Sequence, residues 1–202
     1  MQTDALSALM IEIGERADRR GWVPAGGGNF SARLDNEQML VTTSGNHKGR
    51  LQAEGFMRMT LGGQSLDESK RPSDEAGLHA ALYRLLPEAQ AVLHVHSPCV
   101  LAMAADAKAA LSFSGQELLK VFEGIDTHAT RMRVPVVKND QNIPRLAEAA
   151  EQAIRECPGA RAYVIRGHGL YTWAASLERA ERQVEALEFL CQCELLRRPA
   201  QR

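Results

Sequence analysis

The sequence predicts an α/β fold in which helices cover a mixed, largely antiparallel sheet. Segments with apolar residues at three- and four-residue spacing, typical of amphipathic helices, are interspersed with short apolar runs, typical of buried strands. Two strand-like runs near the start are joined by a polar turn, as in an antiparallel hairpin, whereas later runs are separated by helices. A chain of 202 residues can bury a substantial core, and we expect one domain over residues 1–202.

The first half of the chain contains two predicted helices and three predicted strands. The first helix carries apolar residues on one stripe and ends at Gly21, and the second begins near Ser73, a candidate N-cap residue followed by acids in the first turn. A polar turn at Asp35 and Asn36 separates the hairpin strands. In chain order the predicted elements are helix 4–20, strands 30–34 and 39–43, helix 71–86 and strand 90–96.

The second half continues the same pattern. Pro98 suits the first position of a helix that directly follows the strand at 90–96. The last helix begins near Ser176 and ends at Arg197 and Arg198, where cations complement the helix dipole. Between these two helices we predict a short helix within 114–125, a strand at 133–137, a helix at 144–156, and a buried strand at 162–165 that leads into a glycine turn carrying His168.

The composition excludes several classes of partner. With 24 basic and 25 acidic residues, the chain has no general attraction for nucleic acid or an anionic membrane, so any anion must be held locally. No apolar stretch approaches the roughly 20 residues of a membrane span, and the first turns are unlike a signal peptide. We therefore expect a cytoplasmic protein. The four cysteines lack Cys-x-x-Cys spacing and are expected to be reduced packing residues (Cys99, Cys157, Cys191 and Cys193).

Three histidines form the strongest candidate site. His94 and His96 share one face if residues 90–96 form a strand, and two imidazoles on one face can bind one metal ion. The alternative is a half-buried strand whose polar residues face solvent. His168, between Gly167 and Gly169, can supply a third nitrogen. Three imidazoles and an open position suit zinc, although iron, cobalt or manganese fit the same ligand types.

Several motifs then resemble one family. The segments "GNFS", "TSGNHKG", "PSDE", "HVHS" and "RGHGLYTW" occur in the order and at roughly the spacing of the class II aldolase/adducin family, over nearly the whole chain. The resemblance implies α/β/α layers, a ring-like homotetramer, and one zinc ion per subunit held by His94, His96 and His168. It also implies a sugar phosphate as substrate.

Two glutamates compete for the acid/base role. Glu75 matches the glutamate that the aldolases of the family use, and Glu117 in "GQELLK" matches the one used by its dehydratases. Taken alone, each reads as a solvated acid in the first turn of a helix. Because the last helix and "YVIRGHGLYTW" are most similar to the dehydratases, the resemblance predicts a metal-dependent hydro-lyase with Glu117 as catalytic residue. Glu75 stays open as acid/base, metal ligand or bystander.

Two alternatives to this function remain. The first is an aldolase or epimerase that acts on another sugar phosphate and uses Glu75. The second is a non-catalytic, adducin-like interaction module, against which the retained histidines argue. Zinc content and a cleavage assay would separate the three functions.

Glycine turns supply candidate donors for a phosphate group, because glycine lets backbone N–H groups face an anion. The resemblance assigns phosphate binding to Gly28, Asn29, Ser44, Gly45 and Ser73; read alone, each segment is an ordinary turn. Lys48 and Lys120 are either added cations or surface lysines, and His79 lies on the same helix face as Glu75. The chain departs from dehydratases of the family at Gly26–Gly28 and Asn46, and Asp74 adds a negative charge beside Ser73, which affects the choice of substrate.

Overall fold

The structure, a computed structural model, describes residues 2–198 and contains five α-helices and eight strands within that range. The helices are α1 (Gln2–Arg19), α2 (Ala76–Leu85), α3 (Pro98–Ala105), α4 (Ile143–Arg155) and α5 (Leu177–Arg197). The strands are β1 (Asn29–Arg33), β2 (Gln38–Thr42), β3 (Phe56–Thr60), β4 (Ala91–Val95), β5 (Ala110–Phe113), β6 (Met132–Val137), β7 (Ala162–Ile165) and β8 (Gly169–Ala174).

The strands form one mixed sheet in the order β3-β2-β1-β4-β8-β7-β6-β5. Strands β6 and β7 are parallel, and the other neighbouring strands pair antiparallel. The prediction of a mixed, largely antiparallel sheet is confirmed.

Helices cover both faces of this sheet. One apolar cluster joins the sheet to α1, α3 and α5, through residues such as Ile13, Val100 and Leu187. A second cluster joins the other face to α2 and α4, through residues such as Leu78 and Leu146. The chain therefore has the α/β/α layers that the resemblance implied. No helix within residues 2–198 is long and apolar enough to cross a bilayer.

Three strands, one helix start and one short helix differ from the sequence prediction. Strands β3, β5 and β8 were not predicted; β8 begins at Gly169, and the glycines on both sides of His168 made this segment read as a turn. Helix α2 begins at Ala76, with Glu75 rather than Ser73 at the N-cap position. The Ser73 carbonyl instead accepts from the Ala76 N–H in a turn before the helix. The segment 114–125 forms only a short 3₁₀ helix, Glu117–Val121.

The centre of the sheet aligns three polar side chains in one row. In the antiparallel register, Asn29 on β1 is opposite His94 on β4, and His94 is opposite Tyr171 on β8. Directly opposed residues on neighbouring strands have their Cβ atoms about 5 Å apart on the same face. The strand order therefore brings these three side chains, from distant parts of the sequence, to one place.

Candidate metal centre and active site

The three predicted histidines lie together at one end of the central strands. His94 is on β4, His96 follows that strand, and His168 lies in the turn between β7 and β8. One nitrogen from each ring lies within 4.8 Å of the others. The Nε2 atoms of His94 and His96 are 3.2 Å apart, while His94 Nδ1 is 3.0 Å from the Leu170 carbonyl oxygen. Because a carbonyl only accepts, His94 Nδ1 carries the proton and its Nε2 lone pair faces the cluster.

Two glycines let the backbone approach these rings closely. A Cβ atom at Gly27 would lie 2.6 Å from the Nδ1 and Cε1 atoms of His96. At Gly169, a Cβ atom would lie 2.3 Å from His94 Cε1 and 2.8 Å from the carbonyl oxygen of Val95. Side chains at these two positions would displace the histidine rings, so the glycines preserve the geometry of the cluster.

Glu75 is the carboxylate in contact with this cluster. Its Oε1 atom is 2.8 Å from His168 Nε2, and its Oε2 atom is 3.2 Å from His94 Nε2. The Tyr171 hydroxyl and the Asn29 side-chain amide both donate to Oε2, at 2.9 Å each. Since Glu75 occupies the N-cap position of α2, the turn before that helix directs its side chain toward the histidines.

Burial and charge set the protonation states here. Burial raises the pKa of Glu75, but the hydrogen bond from His168, the electrostatic interactions with the surrounding histidines and the hydrogen bond from Asn29 have the larger combined effect and hold that pKa well below its usual range. Burial lowers the pKa of His94 to about 3, and burial together with His168 lowers the pKa of His96. An ionised carboxylate therefore faces neutral imidazoles at His94 and His96.

This set of donors fits a divalent transition metal. Neutral imidazole nitrogens are ligands for zinc and its neighbours, whereas calcium and magnesium prefer oxygen. In addition, His168 Nδ1 is buried and has no hydrogen-bond partner among the described residues. The three histidines form a group that could hold a metal ion.

Of the predicted phosphate-binding residues, Asn29 is the first residue of β1, opposite His94, and the other four lie in loops and turns. Asn29 is buried, and its amide nitrogen donates to Ser73 Oγ at 3.1 Å as well as to Glu75. Ser44 and Gly45 are exposed in the turn after β2, and Gly28 has a φ of +82°. Two of these loops are tied together by the buried Lys48, whose Nζ donates to the carbonyl oxygens of Gly26 and Asn46, at 3.0 and 2.6 Å.

Glu117 has a different environment. It is exposed, and its carboxylate accepts from Lys120 Nζ at 2.6 Å and lies 3.9 Å from His128 Nδ1. The hydrogen bond from Lys120 lowers the pKa of Glu117. The residue borders a cleft of about 650 Å³ that is also lined by Arg182 and Phe189. Within the part of the chain that the structure describes, its ion pairs do not include the three histidines.

Tyr171 is a site residue that sequence reasoning missed. Its ring stacks on the His94 ring with a centroid separation of 4.1 Å, and Tyr163 stacks behind it at 4.9 Å. The signal that could have found it is the alternation of Gly169, Tyr171 and Trp173, which indicates one face of a strand.

Comparison with known proteins agrees with the fold. A family model for the Class II Aldolase and Adducin N-terminal domain matches residues 8–195. A methylthioribulose-1-phosphate dehydratase of Methylococcus capsulatus is 50% identical over 184 residues, 91% of this chain and 90% of that protein. One of Acidiphilium cryptum is 46% identical over 190 residues, 94% of this chain and 89% of that protein.

Solved structures share the fold. An L-fuculose-1-phosphate aldolase from Thermus thermophilus aligns with a TM-score of 0.77 and 26% identity, over 96% of this chain and 95% of that one. YgbL from Klebsiella pneumoniae, described as a putative aldolase/epimerase/decarboxylase, aligns with a TM-score of 0.83 and 25% identity, over 100% of this chain and 93% of that one. The chain belongs to the class II aldolase and adducin family.

Proposed function

We propose that this protein is a hydro-lyase that removes water from 5-methylthioribulose 1-phosphate and forms 2,3-diketo-5-methylthiopentyl 1-phosphate, a step of methionine salvage. The main support for this proposal is the histidine cluster with its partly buried carboxylate, in a chain 50% identical to a protein named methylthioribulose-1-phosphate dehydratase. The reaction begins with loss of a proton beside a carbonyl group, so it needs a base and a means to stabilise negative charge.

The metal that we propose is zinc, one ion per subunit. His94, His96 and His168 would hold it, which is the three-histidine ligand set of a catalytic zinc site. When bound, zinc supplies a Lewis acid that stabilises the negative charge formed as the substrate is deprotonated. Removal of the metal with a chelator should abolish turnover, and addition of zinc should restore it.

We assign the proton transfers to Glu117. Its carboxylate, which is ionised and exposed, takes the proton from C3 of the substrate and returns a proton to the C4 hydroxyl, which leaves as water. The enol that results tautomerises to the diketone.

An aldolase or epimerase activity is the second candidate, and one observation favours it: the carboxylate in contact with the histidines is Glu75. In that case Glu75 is the acid/base, and the reaction on a phosphorylated sugar breaks or re-forms a bond other than the C4–O bond. The aldolase from Thermus thermophilus, with the same fold, makes this the natural competitor.

The phosphate group is proposed to bind to Gly28, Asn29, Ser44, Gly45 and Ser73. Ser73 Oγ accepts a hydrogen bond from Asn29, so its own hydroxyl proton can be donated to an anion. The exposed Ser44 and Gly45 can supply further N–H and O–H donors.

The phosphate proposal has its own test. We expect Ser44→Ala to raise KM for the phosphorylated substrate and leave zinc content unchanged, because this hydroxyl contacts a part of the substrate remote from the reacting carbons. Steady-state kinetics and metal analysis check this. Unchanged kinetics would remove Ser44 from the binding site.

The test of the function is incubation of purified, zinc-loaded protein with 5-methylthioribulose 1-phosphate. Formation of the diketone without fragments of shorter carbon chain supports the dehydratase. Carbon–carbon cleavage or an epimerised sugar phosphate supports the second candidate. A protein that takes up no zinc and leaves this sugar phosphate unchanged would support the interaction module.

We further propose that the protein is a cytoplasmic homotetramer. The mass measured by light scattering should then be four times the 22.2 kDa of one chain. A mass equal to one chain would contradict this assembly.

A further inference from the structure

A buried network of polar side chains reaches Glu75 through Asn29. We propose that His79 is a positioning residue. Supported by the hydroxyl groups of Ser31 and Tyr83, it fixes the orientation of the Asn29 side-chain amide. That amide in turn holds the Glu75 carboxylate in place. The proposal rests on the proposed function only for the effect on turnover.

The contacts form one continuous chain. His79 Nε2 is hydrogen-bonded to Asn29 Oδ1, and His79 Nδ1 is 2.7 Å from Ser31 Oγ. Ser31 Oγ is in turn 2.9 Å from the Tyr83 hydroxyl. At the other end, the amide nitrogen of Asn29 is 2.9 Å from Glu75 Oε2.

Each proton in this chain has one consistent position. The Glu75 carboxylate only accepts, so the NH₂ group of Asn29 faces it and Asn29 Oδ1 faces His79. That oxygen also only accepts, and therefore His79 Nε2 carries the proton. In a neutral imidazole, Nδ1 must then accept, so the Ser31 hydroxyl donates to it. The Tyr83 hydroxyl completes the series by donating to Ser31 Oγ.

Burial makes this arrangement difficult to reverse. His79 and Ser31 are 0% exposed and Tyr83 is 1% exposed, so no group of this network can exchange its partner for bulk water. Burial also lowers the pKa of His79 to about 3, which keeps the ring neutral and its two nitrogens different in role. A buried polar group left without its partner is costly, so the network favours one amide orientation.

The orientation of the Asn29 amide determines whether Glu75 is held or repelled. If the Asn29 amide turned over, its oxygen would face the carboxylate and repel it, and the hydrogen bond from Asn29 to Ser73 would be lost as well. His79 opposes this change, because in the tautomer described above its Nε2–H would lose its acceptor. The side chain thus acts on the site through Asn29, without touching the three histidines of the cluster.

The experiment compares His79→Leu, which removes both hydrogen bonds, with His79→Gln, which keeps one donor and one acceptor. Gln183→Leu is the matched control, because Gln183 is also 0% exposed and bonds a side chain, Thr172, on the other side of the sheet. We measure kcat and KM for dehydration, and zinc affinity by competition with a chelator. His79→Leu should lower kcat or zinc affinity about 10- to 100-fold with a much smaller change in KM, and His79→Gln should recover most of the loss.

A double-mutant cycle identifies the route of the effect. If His79 acts through Asn29, then His79→Leu should cause no further loss when it is added to Asn29→Ala. Additive losses, or a His79→Leu variant that behaves like Gln183→Leu, would overturn the proposal. Should His79→Leu fail to fold, Ser31→Ala and Tyr83→Phe test the same network, and unchanged kinetics and zinc affinity in both would also overturn it.

The zinc measurement separates the two proposals. If wild-type protein does not dehydrate the substrate, but His79→Leu still binds zinc more weakly than Gln183→Leu, the proposed function fails and the positioning role stands. If wild-type protein is active and His79→Leu matches the control in all measurements, the positioning role fails alone.

Discussion

His94 is the one residue of the histidine cluster that is completely buried, and its ring is held from two directions. Its Nδ1–H donates to the Leu170 carbonyl, and its face stacks on Tyr171. A hydrogen bond of this kind fixes the tautomer and orientation of a metal-ligating histidine. The ring is therefore preorganised to direct Nε2 toward the other two histidines.

We expect His94→Ala to lower bound zinc and turnover together, because two nitrogen ligands bind more weakly than three. Metal analysis of the purified variant and a dehydration assay check this. The exposed His128 is the control for zinc content, and His128→Ala should retain the metal. A His94→Ala variant with full zinc and full activity would remove the site from the proposal.

The two glutamates make a second residue-scale prediction. Glu117→Gln should retain the fold and zinc but lower kcat by about 10²- to 10⁴-fold, because an amide cannot take a proton. Glu75→Gln should then cause a clearly smaller loss, through altered contacts with the histidines. Steady-state kinetics of the two variants, measured under the same conditions, test this ranking of kcat. The opposite ranking would assign the chemistry to Glu75 and favour the aldolase or epimerase.

At the scale of elements, the site depends on where strands end and loops begin. Helix α2 starts at Ala76, so Glu75 turns toward the cluster rather than into solvent. The loop at Gly26–Gly28 packs against His47, His96 and the backbone of His94, and Lys48 ties it to the turn after β2. Loop packing, as well as strand order, thus decides the position of His96.

The substitution Gly27→Ala tests the packing of this loop against His96 without changing the backbone. The φ of −61° at Gly27 suits any residue, so Gly27→Ala introduces only a methyl group, which would lie 2.6 Å from the His96 ring. We expect the ring to shift and zinc affinity to fall about 10-fold or more, comparable to the loss of a supporting contact. Chelator competition measures this. Gly62→Ala is the control, because its methyl group would meet nothing closer than 3.6 Å; equal affinities in the two variants would contradict the steric explanation.

At the scale of the whole molecule, the buried His79 links folding to pH. Burial lowers its pKa from 6.5 to about 3, so the unfolded chain binds the proton first as the pH falls. The stability that depends on a neutral His79 is complete above pH 6.5 and is lost progressively between pH 6.5 and 3. For this one group the slope reaches about 1.4 kcal/mol per pH unit.

Urea unfolding checks this prediction. With chelator present, so that zinc release does not contribute, the free energy of unfolding should fall between about pH 7 and about pH 5, and it should fall less steeply in His79→Gln. Equal slopes for the two proteins would show that other groups, and not His79, cause the acid sensitivity.

The local sequence pattern was sufficient to predict the type of sheet and the three histidines of the cluster. The i, i+2 spacing of His94 and His96 places both side chains on one face of a strand. Pro98 is the first residue of α3 and Ser176 is the N-cap residue of α5, positions that these residue types favour. The family also followed from sequence, because its motifs are short and ordered along the chain. These features depend on neighbours in sequence, which is why sequence reveals them.

Tertiary structure decided which groups meet. Nothing in the spacing of Asn29, His94 and Tyr171 places them in one row; that requires β1, β4 and β8 to be neighbours in the sheet. Contact between Glu75 and His168 likewise depends on the start of α2 and the turn after β7, elements distant in sequence. Strand order and helix placement are set by the burial of the whole apolar core, so no local segment of the sequence contains them.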